Sequence, residues 1–242
     1  MPSGEPWPHG GPMINKLFPS VEEALADIPD GATIMIGGFG NAGMPVELID
    51  ALIDQGARDL TIINNNAGNG ETGLAALIKA RRVRKIICSF PRQTDSYVFD
   101  AQYRAGEIEL ELVPQGNLAE RIRAAGAGIG GFFTPTGFGT QLAAGKETRV
   151  IDGRNYVLES PIHADYALIK CLRADRWGNL VYRMTARNFA PIMATAARCA
   201  VVQANEIVEL GAIDPETVVT PGIFVQRIVH VPAAAAGQKN AA

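Results

Sequence analysis

Short apolar runs alternate with longer amphipathic segments through the first half of the chain. The apolar runs predict strands over 33–36, 60–63, 84–89 and 108–113, and the segments between them predict helices over 46–55, 72–80, 95–105 and 117–125. In the first of these helices Leu48, Ile49 and Leu52 share one face, while Glu47 and Asp50 lie elsewhere. Strands that alternate with helices at these lengths predict an α/β fold with an open, mostly parallel sheet and helices on both faces.

A different pattern begins beyond residue 130, where the strands are shorter and Gly, Pro and Asn turns separate them. The predicted strands are 154–159, 165–171, 179–183, 199–203 and 223–229, with a helix only around 190–197. This part predicts a β-rich C-terminal layer of the same domain. We expect one domain over 13–232, a disordered extension at 1–12, which is rich in Pro and Gly, and a frayed tail at 233–242.

Length and composition disfavour several classes of protein. A chain of 242 residues suits one large domain with one core. A net charge of -3 gives no reason to expect a nucleic-acid partner, and neither a membrane-length apolar run nor a signal peptide is visible. The three cysteines, Cys88, Cys171 and Cys199, lack metal-ligand spacing, so we expect no metal and a reducing, cytoplasmic setting.

A glycine-rich turn joins the first strand of the predicted sheet to its helix. Backbone N–H groups in such a turn, together with the positive end of the helix, suit an anion such as phosphate or carboxylate. Residues 38–43 also spell G-x-G-x-x-G, a dinucleotide fingerprint that requires an acidic residue where the second strand ends. That strand ends in Asn64-Asn65-Asn66, and Asp59 precedes it, so a nicotinamide cofactor is disfavoured.

The same stretch, read whole, is similar to a longer signature. Asp30-Gly31, three apolar residues, Gly37-Gly38-Phe39, Gly43 and Pro45 follow one another at the spacing that resembles family I CoA-transferases. The resemblance covers about residues 13–232 and continues through 65–68, 114–116, 118–123, 134–140 and 186–189. It is a resemblance to the A subunits of two-subunit 3-oxoacid CoA-transferases.

The resemblance implies an enzyme that moves CoA from succinyl-CoA to an oxoacid. In that family the nucleophile is a glutamate in a Ser-Glu-Asn-Gly context on the B subunit, where it becomes a glutamyl-CoA thioester. This chain has no such tetrapeptide, and neither Glu71 nor Glu159 has the expected context. We therefore expect a partner, the B subunit, in a heterodimer or heterotetramer, with the CoA thioester as substrate and no permanently bound cofactor.

The candidate site residues follow from the turns after the strands, because ligands of open α/β sheets bind beyond the carboxyl ends of the strands. The resemblance places Gln115 beside the reacting carbon, with its backbone N–H suited to an oxyanion and with Asn65 and Asn66 as nearby amide donors. Each also has a structural interpretation, as a turn residue or as a strand-end turn. The residues that would hold CoA are Gly37, Gly38, Phe39, Gly40, Asn41, Ala42 and Gly43, although this turn could also serve a substrate carboxylate or only the tight connection.

Substrate choice depends on the loop at 90–97. It resembles the branch of the family that uses 3-oxoadipate, whereas acetoacetate-using relatives tend to carry Gly-Glu-Asn there. A dicarboxylic oxoacid needs an additional cation or several donors, and Arg92 is the candidate for its distal carboxylate. The alternatives are a surface role for Arg92 beside Asp95, a broader acetoacetate or 3-oxoacid CoA-transferase, and a non-catalytic module that binds CoA or a sugar phosphate.

Overall fold

The structure, a computed structural model, describes residues 14–233, which form strands and helices in alternation. The predicted extension at 1–12 and all but the first residue of the predicted tail lie outside the described residues. The strands are β1 (Leu17–Phe18), β2 (Thr33–Ile36), β3 (Leu60–Ile63), β4 (Val83–Cys88), β5 (Glu109–Leu112), β6 (Phe132–Thr134), β7 (Thr148–Ile151), β8 (Arg154–Glu159), β9 (Ala164–Asp175), β10 (Leu180–Val181), β11 (Ala197–Val208) and β12 (Arg227–His230). The α-helices are α1 (Val21–Leu25), α2 (Val46–Gln55), α3 (Leu74–Lys79), α4 (Tyr97–Arg104), α5 (Gln115–Gly126) and α6 (Ala190–Ala196).

One large sheet organises the fold. Its strands lie in the order β1-β12-β11-β9-β2-β3-β4-β5, all parallel, with β10 antiparallel beside β9. Strand β2 is buried on both faces, since Ile34 and Ile36 pack in the core under α1–α4 and Met35 packs in the core under α5 and α6. Burial on both faces explains why this strand is an uninterrupted apolar run. The predicted α/β fold, with an open, mostly parallel sheet and helices on both faces, is confirmed.

The β-rich C-terminal part divides between two sheets. A separate layer exists as the antiparallel sheet β6-β8-β7, whereas β9, β11 and β12 complete the large sheet instead of covering it. The pairing of Tyr166 with Ile34 places β9 directly beside β2. This pairing joins residues far apart in sequence, and local periodicity carries no information about it. The strand expected at 179–183 shortens to Leu180–Val181, and the one expected at 223–229 begins at Arg227, after a 3-10 turn.

Strand length changes abruptly in the middle of the sheet. Strands β9 and β11 have 12 residues each, but β2 has 4. The pairing of β2 with β9 ends at Ile36 and Leu168. On the same side of β9, the short strand β10 pairs only with Arg173 and Ala174. Residues 170–172 of β9 therefore have no strand beside them on that side. The loop after β2 leaves the sheet here, and its residues 41–44 line the space beside this gap.

A buried carboxylate joins the small sheet to helix α5. The Glu159 side chain, 4% exposed, accepts hydrogen bonds from Lys146 Nζ at 2.7 Å and Asn117 Nδ2 at 3.1 Å. Its other oxygen lies 3.7 Å from Arg121 Nε. Asn117 belongs to the first turn of α5, so this cluster fixes the end of the helix that carries Gln115. Glu159 thus has a structural use, which agrees with its lack of the sequence context expected of the nucleophile.

Replacing Glu159 with Gln should destabilise the fold through this cluster. The amide can still bind Asn117, but it leaves Lys146 and Arg121 without their shared buried anion, and breaking a buried pair is costly. Because Lys146 is 33% exposed, we expect the free energy of unfolding to fall by about 2 kcal/mol, less than for a fully enclosed pair. Urea unfolding followed by tryptophan fluorescence measures this.

Glu206→Gln is the matched control, because Glu206 forms an exposed ion pair with Arg173 at 2.8 Å. Its effect should stay below about 1 kcal/mol. Equal losses of stability in the two variants would contradict the role given to Glu159.

Candidate active site

Loops from neighbouring strands meet around a cavity of about 360 Å³ at the carboxyl edge of the sheet. One loop follows each of β2, β3 and β4, and the fourth contribution is the first residue of α5. We call it the Gln115 cavity, and it is lined by Phe39, Asn65, Ser89, Phe90, Gln93 and Gln115. The structure therefore brings together the turns that the sequence predicted to share one edge.

Asn65 lies at the centre of this cavity, and its amide has one defined orientation. The side-chain oxygen accepts a hydrogen bond from Gln115 Nε2 at 2.8 Å. The Ser89 hydroxyl, which has one proton to donate, lies 2.9 Å from the same oxygen and 3.0 Å from the backbone carbonyl oxygen of Asn65. Because the Gln115 amide donates to Oδ1, the NH2 group of Asn65 must point elsewhere. Within residues 14–233 nothing accepts a hydrogen bond from it, so it is a donor that a ligand can use.

The asparagines on either side of Asn65 hold the loop instead of lining the cavity. Asn64 is fully buried, and its Nδ2 donates to the carbonyl oxygen of Ile36 at 2.6 Å. Asn66 accepts a hydrogen bond from the Gly68 N–H at 2.8 Å, which closes a tight turn. Of the two asparagines predicted as amide donors, the structure brings Asn65 to the cavity and leaves Asn66 behind it.

Gln115 is the first residue of α5, so the helix begins two residues earlier than predicted. N–H groups in the first turn of a helix lack intrahelical acceptors, and this end of the helix favours negative charge. The cavity thus combines the first turn of α5 with the amide of Asn65. Such a set of donors suits the oxyanion that develops when a carbonyl or thioester carbon is attacked.

The lining of this cavity holds no carboxylate nucleophile, and its one hydroxyl, that of Ser89, has no histidine or carboxylate beside it in the lining to act as a base. Its side chains are two phenylalanines, three amides and the hydroxyl of Ser89, with no carboxylate, histidine or thiol among them. Cys88 lies next to Ser89 in sequence, but burial raises the pKa of its thiol to about 12. The part of the chain that the structure describes also holds no cluster of His, Cys, Asp and Glu fit for a metal ion.

The glycine loop, residues 37–43, divides between two cavities. Phe39 lines the Gln115 cavity, whereas Asn41, Ala42 and Gly43 line a second one on the other side of the loop. Phe39 and Ala42 exchange backbone hydrogen bonds of 3.0 and 3.2 Å, which makes the turn tight. Gly43 has a φ of +77°, and a Cβ there would lie 2.6 Å from the carbonyl oxygen of Ala186. The loop is therefore packed against residues 183–186, and only glycine fits at position 43.

The structure does not bring Arg92 to the Gln115 cavity. Its Nε donates to Asp100 at 2.7 Å, its side chain is 54% exposed, and its guanidinium lies 6.0 Å from the ring centre of Tyr103. The partner is thus Asp100 and not Asp95, the residue suggested by the sequence. Gln93 and Ser89 line the cavity instead, and sequence reasoning did not single them out. Their position directly after β4 was the available signal.

Comparisons with known proteins agree with the geometry. The family model for coenzyme A transferase matches residues 18–231. The chain is 70% identical over 224 residues to a Pseudomonas putida protein named as the A subunit of 3-oxoadipate CoA-transferase, covering 93% of this chain and 97% of that protein. It is 65% identical over 227 residues to the protein of the same name from Acinetobacter baylyi, covering 93% and 100%.

Solved structures share the fold. An acyl-CoA transferase from E. coli O157:H7, in a thioester complex with CoA, superposes with a TM-score of 0.79 at 23% identity. The match covers 91% of this chain but 48% of that one, so this chain spans about half the length of that enzyme. Glutaconate CoA-transferase from Acidaminococcus fermentans gives a TM-score of 0.77 at 21% identity, covering 90% and 76%. From the family match and the two highly identical relatives together, we conclude that this chain belongs to the coenzyme A transferase family.

Proposed function

We propose that this chain is the A subunit of a 3-oxoadipate CoA-transferase, which works with a B subunit to move CoA from succinyl-CoA to 3-oxoadipate. The observation that carries the proposal is a cavity with oriented amide donors and no carboxylate in its lining. Acyl transfer needs both donors that stabilise an oxyanion and a carboxylate nucleophile. This cavity supplies the donors, and in our proposal the nucleophile comes from another chain. The names of the two most identical relatives support the choice of oxoacid.

The reaction needs a glutamate from the B subunit. Its carboxylate attacks the thioester carbon of succinyl-CoA and expels the CoA thiolate, which then attacks the glutamyl carbon and releases succinate. The carboxylate of the oxoacid then attacks the glutamyl carbon of this thioester and expels the CoA thiolate, leaving a mixed anhydride. The thiolate attacks the oxoacyl carbon of the anhydride, which gives the oxoacyl-CoA and releases the glutamate carboxylate. Every one of these additions places a negative charge on a former carbonyl oxygen.

This chain supplies the donors for that oxygen. We assign the backbone N–H of Gln115 and Nδ2 of Asn65 to the oxyanion, and Ser89 to holding the Asn65 amide in its orientation. A preorganised donor of this kind is worth roughly 3 kcal/mol of barrier. Phe39 and Phe90, 50% and 54% exposed, flank the cavity and would be covered by the B subunit. The smallest assembly that holds both the donors and the nucleophile is one A subunit with one B subunit.

The three cysteines are free, which suits a reducing, cytoplasmic compartment.

A transferase for acetoacetate or for 3-oxoacids in general is the second candidate. One observation favours it: the lining of the Gln115 cavity includes no cationic side chain to select a second carboxylate. A Xanthomonas campestris relative, named as the A subunit of succinyl-CoA:3-ketoacid coenzyme A transferase, is 53% identical over 215 residues. The two candidates share the catalytic machinery and differ only in the oxoacid.

CoA transfer should occur only when this chain is mixed with its B subunit. We expect formation of 3-oxoadipyl-CoA from succinyl-CoA in the mixture and none with either chain alone, because the nucleophile and the oxyanion donors lie on different chains. Acetoacetate in place of 3-oxoadipate distinguishes the two candidates. Turnover by this chain alone would show that it holds a nucleophile of its own. That result would refute the proposal that the nucleophile and the oxyanion donors lie on different chains.

Asn65 and Asn66 should respond differently to removal of the side chain. Asn65→Ala removes the oriented donor and should lower kcat about 100-fold, while KM changes little. Asn66→Ala should act mainly on stability, because its amide closes the turn at Gly68 outside the cavity. Steady-state kinetics of both variants in the complete enzyme measures this. A larger loss of kcat in Asn66→Ala would reverse the assignment.

The role of Arg92 in binding a distal carboxylate stays a prediction, and its ion pair with Asp100 argues for a surface role. We therefore expect Arg92→Ala to change KM for 3-oxoadipate less than about twofold, as for an exposed ion pair. Arg104→Ala is the control, since Arg104 lies 3.9 Å from the same carboxylate and is 73% exposed. A selective rise in KM for 3-oxoadipate, but not for acetoacetate, in the Arg92 variant alone would restore the hypothesis from sequence.

A further inference from the structure

A second cavity, of about 310 Å³, lies where β9 extends beyond the end of β2. Its floor is the open edge of β9 at residues 170–172, and its walls are the loop residues 41–44 and the segment 183–186. Asn205 of β11 completes the lining. We call it the Lys170 cavity. None of its lining residues is shared with the Gln115 cavity, and the glycine loop separates the two.

The Lys170 cavity carries uncompensated positive charge. Lys170 and Arg183 line it, and its lining includes no carboxylate. Neither side-chain cation forms a hydrogen bond or ion pair with another residue in the range 14–233. Of the carboxylates on the neighbouring elements, Glu206 forms an ion pair with Arg173, and Glu47 accepts a hydrogen bond from the neutral amide of Gln203 and does not line the cavity. Two unpaired cations in one concave site, in a chain of net charge -3, indicate an anionic ligand.

The cavity also contains polar groups that await a partner. The side-chain oxygen of Asn205 is buried and has no hydrogen-bond partner among the described residues. The backbone of residues 170–172 has no strand beside it on the cavity side. Buried polar groups without partners cost free energy, and an open strand edge can pair with the amides of a ligand. The ligand should therefore combine negative charge with amide or hydroxyl groups.

We propose that the Lys170 cavity binds the phosphate-bearing arm of the CoA thioester, with Lys170 and Arg183 facing the phosphates. This assignment rests on the proposed function and adds a CoA subsite to it. Pantetheine carries two amides and a hydroxyl, which suit the open edge of β9. A volume of about 310 Å³ lies at the lower end of small-molecule sites, so the cavity holds part of CoA and not all of it.

The distance between the cavities fits this ligand. The Gln115 cavity lies over the ends of β3 and β4, and the Lys170 cavity lies beside β9, which is two strands from β3 and three from β4. At the usual spacing of strands this separation is roughly 10–15 Å. An extended pantetheine arm spans roughly 15 Å between its sulfur and its first phosphate at ordinary bond lengths. The thioester can thus occupy the first cavity while the phosphates occupy the second.

Substrates with and without phosphates test the assignment in the complete enzyme with its B subunit. The variants are Lys170→Gln and Arg183→Gln, and the control is Arg187→Gln, an exposed arginine of the same segment that does not line the cavity. We expect each variant to raise KM for succinyl-CoA about tenfold, as for a lost charge-assisted hydrogen bond, with kcat within twofold. KM for succinyl-pantetheine, which has the same thioester and no phosphate, should not change, and the control should match the parent enzyme with both substrates.

Two results would overturn the assignment. One is an unchanged KM for succinyl-CoA in both variants, and the other is an equal rise with succinyl-pantetheine, which would place the cations at a contact with the B subunit instead. Arg183 is exposed, so its variant keeps the test valid even where Lys170→Gln fails to fold. An inactive parent enzyme would refute the proposed function separately. Calorimetric titration of this chain with CoA and with pantetheine would then decide the subsite, since only CoA binding should weaken in the variants.

Discussion

The end of β2 is the constraint on which both cavities depend. Two hydrogen bonds close it: the Gly37 N–H donates to the carbonyl oxygen of Leu168 at 2.9 Å, and the carbonyl of Ile36 accepts from Asn64 Nδ2 at 2.6 Å. Beyond this point the chain leaves the sheet as a glycine loop, whereas β9 continues for several residues. The loop therefore lies across the edge of the sheet and divides the space above it. One side receives amides from β3, β4 and α5, and the other receives cations from β9 and the segment at 183–186.

The Gln115 cavity relies on orientation and not on charge. Gln115 donates to the side-chain oxygen of Asn65, and the Ser89 hydroxyl lies 2.9 Å from the same oxygen, so the amide NH2 of Asn65 has no acceptor among the described residues and is available to a ligand. Neutral donors of this kind bind an oxyanion without stabilising a resting carboxylate as strongly as a cation would. The Lys170 cavity has the opposite character, because its charge suits a group that stays anionic throughout. In the proposed function, the Gln115 cavity therefore serves a charge that develops during the reaction, and the Lys170 cavity serves a charge that is always present.

Local pattern was sufficient for the order of elements in the first half of the fold and for the expectation that the turns after β2, β3 and β4 meet at one edge. Strands β2 and β3 match their predicted bounds, because each is an apolar run closed by polar or glycine residues. The position of β9 was out of reach, since its pairing with β2 joins Tyr166 to Ile34 across the length of the domain. The choice between Asn65 and Asn66 was also out of reach, because neighbouring side chains after a strand point to opposite sides and composition cannot tell which side faces a ligand. The orientation of the Arg92 side chain was also not predictable, because it depends on an ion pair with Asp100, eight residues later on α4.

The small sheet has an edge that a second chain could extend. All of β7 is exposed, including Val150 at 65%, and only β8 pairs with it. A strand of this kind is a template for aggregation unless something discourages addition. Arg149 supplies that protection: its guanidinium lies 4.6 Å from the ring centre of Phe133 and forms an ion pair with Glu147 at 2.7 Å, so charged groups stand at the edge strand. A second strand added to this edge would have to remove water from that ion pair, so the charged groups that hydrate β7 also oppose edge-to-edge association of two chains.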